Sequence, residues 1–233
     1  MSKQVTHNTG IADIAPLCNI VPVNIFFGGE TTADIANGIN WAWNQGQASV
    51  LSNSWGFTTY SQTQPGFDVI IQAINNARTQ GRSGLGSIVV FAAGNNFGNG
   101  VNDVAFPANV NGVITVGACN NAAPAGNIWY YSERGPSMDL VAPSGDLNLT
   151  GDLTTLDRMG NLGYEVGNYT GRFGGTSAAC PQVSGIAALM VSVNPILTEA
   201  QVKTILQTTA TDMGTTGFDN TFGYGRLSCP KIG

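Results

Sequence analysis

The chain reads as an α/β protein built in three layers, with a mainly parallel sheet covered by helices on both faces. Two observations predict this. Short apolar runs alternate with segments of helical period, and the runs are continuous rather than alternating, as strands buried on both faces require. Neither a linker nor an internal repeat divides the sequence, so residues 1–233 are read as one domain.

In chain order, Cys18–Phe27 reads as a buried strand rich in Ile and Val. Thr31 and Asp34 form a capping box that opens a helix with Ile35, Ile39, Ala42 and Trp43 on one face. Ala48–Asn53 is a short strand. Phe67, Ile70, Ile71, Ile74 and Ala77 follow at helical spacing and stop near Gly81. Ser87–Ala92 and Gly112–Ala118 are fully apolar strands, with Asp139–Ala142 as a fourth. The glycine-rich stretch 145–171 predicts a hairpin pairing Leu153–Leu156 with Tyr164–Val166. A helix follows Pro181, burying Val183, Ile186, Ala187, Leu189 and Met190. A second capping box, Thr198 with Gln201, starts the last helix, which runs to about Ala210.

Composition narrows the function. Only 10% of residues are charged, against a usual ~25%, and 31 of 233 are glycine. That profile fits a compact, turn-rich fold and opposes disorder. The net charge of −5, without a basic block, argues against nucleic-acid binding. No apolar run approaches the ~18 residues of a membrane span, Gly185–Val191 being the longest clear one, so no membrane partner is expected. Residues 1–9 lack the apolar core of a secretory signal. Cys18, Cys119, Cys180 and Cys229 are widely separated without a CxxC pair, which opposes a zinc site. Cys18, Cys119 and Cys180 lie in apolar contexts and read as buried thiols, with one disulfide left open.

The chemistry concentrates at residues 173–181, Phe-Gly-Gly-Thr-Ser-Ala-Ala-Cys-Pro. Here a glycine-rich turn runs into an apolar helix and sets Ser177 among unpaired N–H groups, where developing negative charge is stabilised. Small neighbours allow a carbonyl to approach. A serine hydroxyl nevertheless needs a base to take its proton, and the chain has a single histidine, His7. Two strand ends add further groups. Val89–Asn95 ends in Ala92, Ala93, Gly94 and the amide of Asn95, a neutral donor suited to an oxyanion. Val50–Gly56 ends in Ser54, Trp55 and Gly56, which offer edge backbone groups to an extended peptide. Each has a structural explanation when taken alone: Ser177 as a helix cap, Asn95 as a turn residue, Ser54–Gly56 as a strand exit.

In this order the segments resemble the subtilisin-like serine proteases (subtilases, peptidase S8). GTSAACPQVSGIAALM resembles the family's nucleophile motif, AAGN its oxyanion segment and SNSWG its substrate-binding strand. The similarity extends from Thr9–Pro16 to Phe222–Gly225. Residues 131–136 and 142–146 lean toward kexin-like members. The resemblance implies a serine endopeptidase with Ser177 as nucleophile and Asn95 as oxyanion donor. Ser54, Trp55 and Gly56, with Ala92, Ala93 and Gly94 opposite, would border the substrate's S1 and S4 positions.

The family's Asp and His-Gly-Thr-His motifs have no match here. His7 falls in the loop after the family's histidine helix, with no room for that helix before Ala15–Pro16. Asp13 comes after the histidine position and reads as a loop residue. Gln182 stands where the family often has a structural histidine. By this resemblance the chain is an incomplete catalytic domain, missing its first strands and the His-bearing helix and inactive alone. Its expected partners are a protein or peptide substrate and an N-terminal segment supplying Asp and His. The alternative is a pseudoprotease that binds extended peptides without cutting them. The family strand bearing the aspartate pairs with the equivalents of Cys18–Phe27 and Ala48–Asn53. Its loss should therefore leave a gap with unpaired edges, or bring those two strands together. Phe57, Thr58 and Thr59 offer no acid, and Pro107 stands nearer than Asp103 to the S1-acid position, so a neutral or apolar P1 residue is expected. The resemblance also implies calcium near Asn8–Ala12, but no metal ligand is assigned.

Overall fold

A computed structural model describes residues 11, 13–98, 103–120, 126–147 and 153–228. Helix α1 (Thr32–Asn44) starts at the expected box: Thr31 Oγ1 accepts from Asp34 N, and Asp34 Oδ2 accepts from Thr31 N at 2.9 Å. Strand β1 (Val50–Asn53) follows, then α2 (Phe67–Gln80), β2 (Ile88–Ala92), β3 (Ile114–Cys119) and β4 (Leu140–Pro143). The four strands form one parallel sheet in the order β1-β2-β3-β4. β2 and β3 are buried along their whole length, which accounts for their continuous apolar sequence.

Two cores flank the sheet, giving the expected three layers. On one face α1 and α2 pack Ile35, Ile39, Ile70 and Ile74 against Leu51, Val89 and Phe91. On the other, α3 (Thr176–Val193) and α4 (Glu199–Thr209) pack Ala179, Val183, Ala187, Val202 and Leu206 against Val90, Val116 and Leu140. α4 opens on the second capping box, Thr198 with Gln201. α3 has the length and apolarity of a membrane-crossing helix, beyond the Gly185–Val191 run visible in sequence. Its buried face lies under the sheet.

Lys203, on α4, reaches Asp139 Oδ2 at 2.9 Å, beside the β3 end where Thr115 N donates to the same carboxylate oxygen at 2.8 Å. Gln207 Nε2 donates to Asp139 Oδ1 at 2.7 Å. This network ties the last helix to the sheet. The outer edge of β4 is covered by the chain's end, where Val141 N donates to Gly225 O and Leu227 N donates to Val141 O.

Two sequence expectations are corrected. Cys18–Phe27 is not a strand: it forms no ladder, because among the described residues no strand lies beside it to accept and donate. It does not pair with β1; an apolar cleft separates the two. The hairpin pairs β5 (Thr155–Leu156) with β6 (Tyr169–Thr170), and Tyr164–Val166 lie in its turn region. Asp157 sets that turn by accepting from Arg158 N at 2.8 Å and Glu165 N at 2.9 Å.

Candidate active site

Ser177 occupies the second position of α3. The helix is entered through Gly175 at φ 79° and ψ 168°, a conformation that disfavours a side chain, and no side chain caps the end. Gly175 is fixed from behind: its N–H donates to Tyr131 Oη at 3.0 Å, and its carbonyl accepts from Ser144 Oγ at 2.6 Å. Tyr131 Oη also donates to Gly145 O at 2.7 Å, and burial pushes this phenol up to about 12. It therefore serves as a neutral prop.

Asn95 approaches from the end of β2. Its Oδ1 accepts from Thr176 N at 2.9 Å and from Thr176 Oγ1 at 3.0 Å, while Gly94 N donates to Thr176 Oγ1 at 3.2 Å. With its oxygen engaged, the amide presents Nδ2 outward beside Gly175. Among the described residues neither Asn95 Nδ2 nor Ser177 N–H has a hydrogen-bond partner. Two free donors thus flank the turn that carries Ser177. Such a pair suits a developing oxyanion.

Ser54 meets Ser177 from the end of β1. Ser54 Oγ donates to Ser177 O at 3.0 Å, and Ser177 Oγ donates to Ser54 O at 3.4 Å. The first bond follows from Pro181, which lacks the N–H that would otherwise close the helical bond to that carbonyl. Ser54 and Gly56 are exposed. Trp55 is held inward, its indole N–H on Asn53 Oδ1 at 3.1 Å and its ring edge-on to Phe26, Phe57 and Phe91. Ala92 and Ala93 are buried at the end of β2.

The structure therefore brings Ser177, Asn95, Ser54 and Gly94 together, with Gly56 on the same β1 exit. No carboxylate, lysine or histidine bonds the Ser177 hydroxyl among the described residues. His7 lies outside them. Asp13 is exposed, and Asp103 is occupied by Ser137 Oγ at 2.9 Å. Gln182 donates to Pro143 O and Ala178 O, a structural role inside the helix layer. Cys180, directly beneath Ser177, is fully buried with its thiol pushed up by burial. Cys18, Cys119 and Cys180 are free thiols; Cys119 and Cys180 are buried as expected, Cys18 is only half-buried, and Cys229 lies outside the described residues.

Sequence reasoning missed Thr176, Tyr131 and Ser144 as supports of the turn. Only Thr176 carried a signal, its place beside Ser177 in the glycine-rich motif. Glu133 was also missed. It is buried behind Gly94, accepts from Asn96 N at 3.1 Å, and its carboxyl is pushed up by burial with Oε2 unpartnered. Of the stretch expected near calcium, only Ile11 is described. Among the described residues no group of three or more His, Cys, Asp or Glu could hold a metal.

The Subtilase family model matches residues 3–225. A calcium-dependent protease of Trichormus variabilis is 33% identical over 252 residues, covering 96% of this chain and 37% of its own length. Subtilisin Savinase of Lederbergia lenta is 30% identical over 229 residues, covering 96% of this chain and 71% of the relative. A solved protease of Pseudoalteromonas arctica superimposes with a TM-score of 0.71 at 28% identity, over 94% of this chain and 63% of that one. The chain thus spans little more than a third of the first relative, and the kexin-like lean gains no support from these names. With its parallel sheet, its Ser177 turn and a family match over nearly its full length, the chain belongs to the subtilase family, peptidase S8.

Proposed function

We propose that this chain carries the acyl-transfer half of a serine endopeptidase site, acting on extended peptides once a proton acceptor is supplied to Ser177. Ser177 Oγ would attack the scissile carbonyl, its proton passing to the supplied base. The carbonyl oxygen, now negative, would sit between Asn95 Nδ2 and Ser177 N–H. Collapse breaks the C–N bond, the base returns the proton to the leaving amine, and water then releases the acyl group from Ser177. Ser54 and Gly56, on the exposed exit of β1, would align the substrate backbone. A neutral or apolar residue before the cleaved bond fits the absence of an acid at Phe57–Thr59.

The observation that carries this reading is the pairing of two unengaged donors with a serine hydroxyl on one helix turn. A second reading, peptide binding without cleavage, is favoured by the Ser177 hydroxyl being directed onto the Ser54 carbonyl. The size of the deficit is known from subtilisin itself, where loss of the triad histidine costs about 10⁶ in turnover.

Free imidazole can stand in for the base. With a peptide p-nitrophenyl ester, imidazole should speed ester cleavage by the wild type more than by Ser177→Ala. Equal imidazole-dependent rates in the two proteins would reject acyl transfer at Ser177.

A further inference from the structure

The exits of β1 and β2, which border the proposed peptide path, are bridged twice. The first bridge is backbone. Ala105 N donates to Ala93 O at 3.0 Å, Phe106 N to Thr59 O at 2.9 Å, and Phe57 N to Phe106 O at 2.8 Å. A β-carbon on Gly56 would lie 3.1 Å from Phe106 O, so residues 105 and 106 form a floor between the two exits. The second bridge is a side chain. Glu133 Oε1 accepts from Tyr60 Oη at 3.4 Å on the β1 side and from Asn96 N at 3.1 Å on the β2 side.

Glu133 comes from the segment between β3 and β4 and is 1% exposed. Its own N–H donates to Gly94 O at 3.0 Å. A β-carbon on Gly94 would lie 2.4 Å from Glu133 Cδ and Oε2. The carboxyl therefore rests against the bare α-carbon of a strand end that borders the path. Oε2 has no hydrogen-bond partner among the described residues, and no lysine or arginine pairs with it there. Arg134 turns its guanidinium over the Phe97 ring instead, 3.7 Å from the centroid. A buried carboxyl with one oxygen unmatched is costly to keep, and the acyl-transfer steps leave this group unused.

We propose that Glu133 selects the side chain before the cleaved bond, its Oε2 meeting the terminal amide of a glutamine. The proposal rests on the peptide path described above and names the residue class which that path accepts. Ala92, Ala93, Ala105 and Phe106 give the pocket apolar walls, and Oε2 is the polar atom left open at its end. A glutamine amide suits that atom in either protonation state. Its N–H donates to the carboxylate, and its carbonyl accepts from the acid form. A lysine ammonium fits poorly, because it brings three donors to one open acceptor. The carbonyls of Ala93, Gly94 and Phe106 already accept backbone bonds, and an unmatched buried charge costs far more than an unmatched amide proton. Methionine has glutamine's length but no group for Oε2.

The probes are acetyl-Ala-Ala-Pro-Gln-amide and its Met and Lys counterparts, titrated into the isotopically labelled full chain. Dissociation constants are read from the Asn96 amide resonance, which reports on the Glu133 bond. The glutamine peptide should bind about tenfold more tightly than the methionine peptide and more tightly than the lysine peptide. Glu133→Met should bring the Gln and Met peptides to equal affinity, whereas Glu133→Gln, which retains a polar group in place of Oε2, should keep the preference. The comparison of peptides on the wild type stands even if Glu133→Met does not fold. Tighter binding of the methionine or lysine peptide, a glutamine preference that survives in folded Glu133→Met, or no saturable binding of any of the three overturns the proposal. No hydrolysis enters the measurement, so a glutamine preference can hold where imidazole-dependent acyl transfer at Ser177 fails, and the reverse.

Discussion

Ser54 and Ser177, 123 residues apart, each donate a side-chain hydroxyl toward the other's backbone carbonyl, at 3.0 Å from Ser54 and 3.4 Å from Ser177. The exchange exists because Pro181 deprives the Ser177 carbonyl of its helical donor. Ser54→Ala should therefore leave that carbonyl without a protein partner at the first turn of α3. We expect a loss of about 1 kcal/mol. It would be read as a lower urea midpoint with an unchanged slope.

Glu133 makes stability depend on pH. Its carboxyl is raised by burial, with hydrogen bonds from Asn96 and Tyr60 only partly offsetting this. The folded state then binds more protons than the unfolded chain between the ordinary glutamate value of about 4.3 and the raised one. This contribution is fully present below the ordinary value and is lost as pH rises through the raised value. Urea titrations across that range should show the wild type falling relative to Glu133→Gln, which keeps an acceptor for Asn96 N and cannot ionise. Parallel curves would refute the assignment.

Asp139 answers three donors on β3 and α4: Thr115 N, Lys203 Nζ and Gln207 Nε2. Asp139→Ala would strand the partly buried Lys203 ammonium and an amide of the sheet. A loss of about 3 kcal/mol is expected, seen as a depressed thermal midpoint. Double-mutant coupling with Lys203→Met should be well above the value for an exposed pair.

Much of the scaffold was legible because its signals are local. Thr31 with Asp34 and Thr198 with Gln201 announced two helix starts within four residues, and the apolar runs of β2 and β3 could only be buried strands. Cys18–Phe27 carried the same apolar signature but formed no strand, since a ladder depends on a neighbour that the run itself does not encode. The second hairpin strand was displaced from Tyr164–Val166 to Tyr169–Thr170 because the side-chain hydrogen bonds of Asp157 fix where the turn closes. At the site, the glycine-rich motif located Ser177, and the strand end located Asn95. The supports Tyr131 and Glu133 come from the segment between β3 and β4, and Ser144 from the exit of β4. Nothing in their local sequence announces that they stand behind Gly175 and Gly94.

Gly94 links that buried carboxylate to the candidate donor Asn95. It holds φ +114°, and a β-carbon there would collide with the Glu133 carboxylate. Gly94→Ala should cost about 2 kcal/mol from the backbone conformation alone and shift Asn95 off Thr176. Chemical-shift changes at the Thr176 amide would report the displacement. An unperturbed Thr176 resonance in a stable variant would contradict the geometry.

The most direct test of the central claim, a held but unactivated serine, is the rate at which a fluorophosphonate modifies the full chain, followed by intact mass and peptide mapping at neutral pH. The predicted result is labelling of Ser177 no faster than that of the urea-unfolded chain. Rapid, stoichiometric labelling of Ser177, abolished by unfolding, would contradict it.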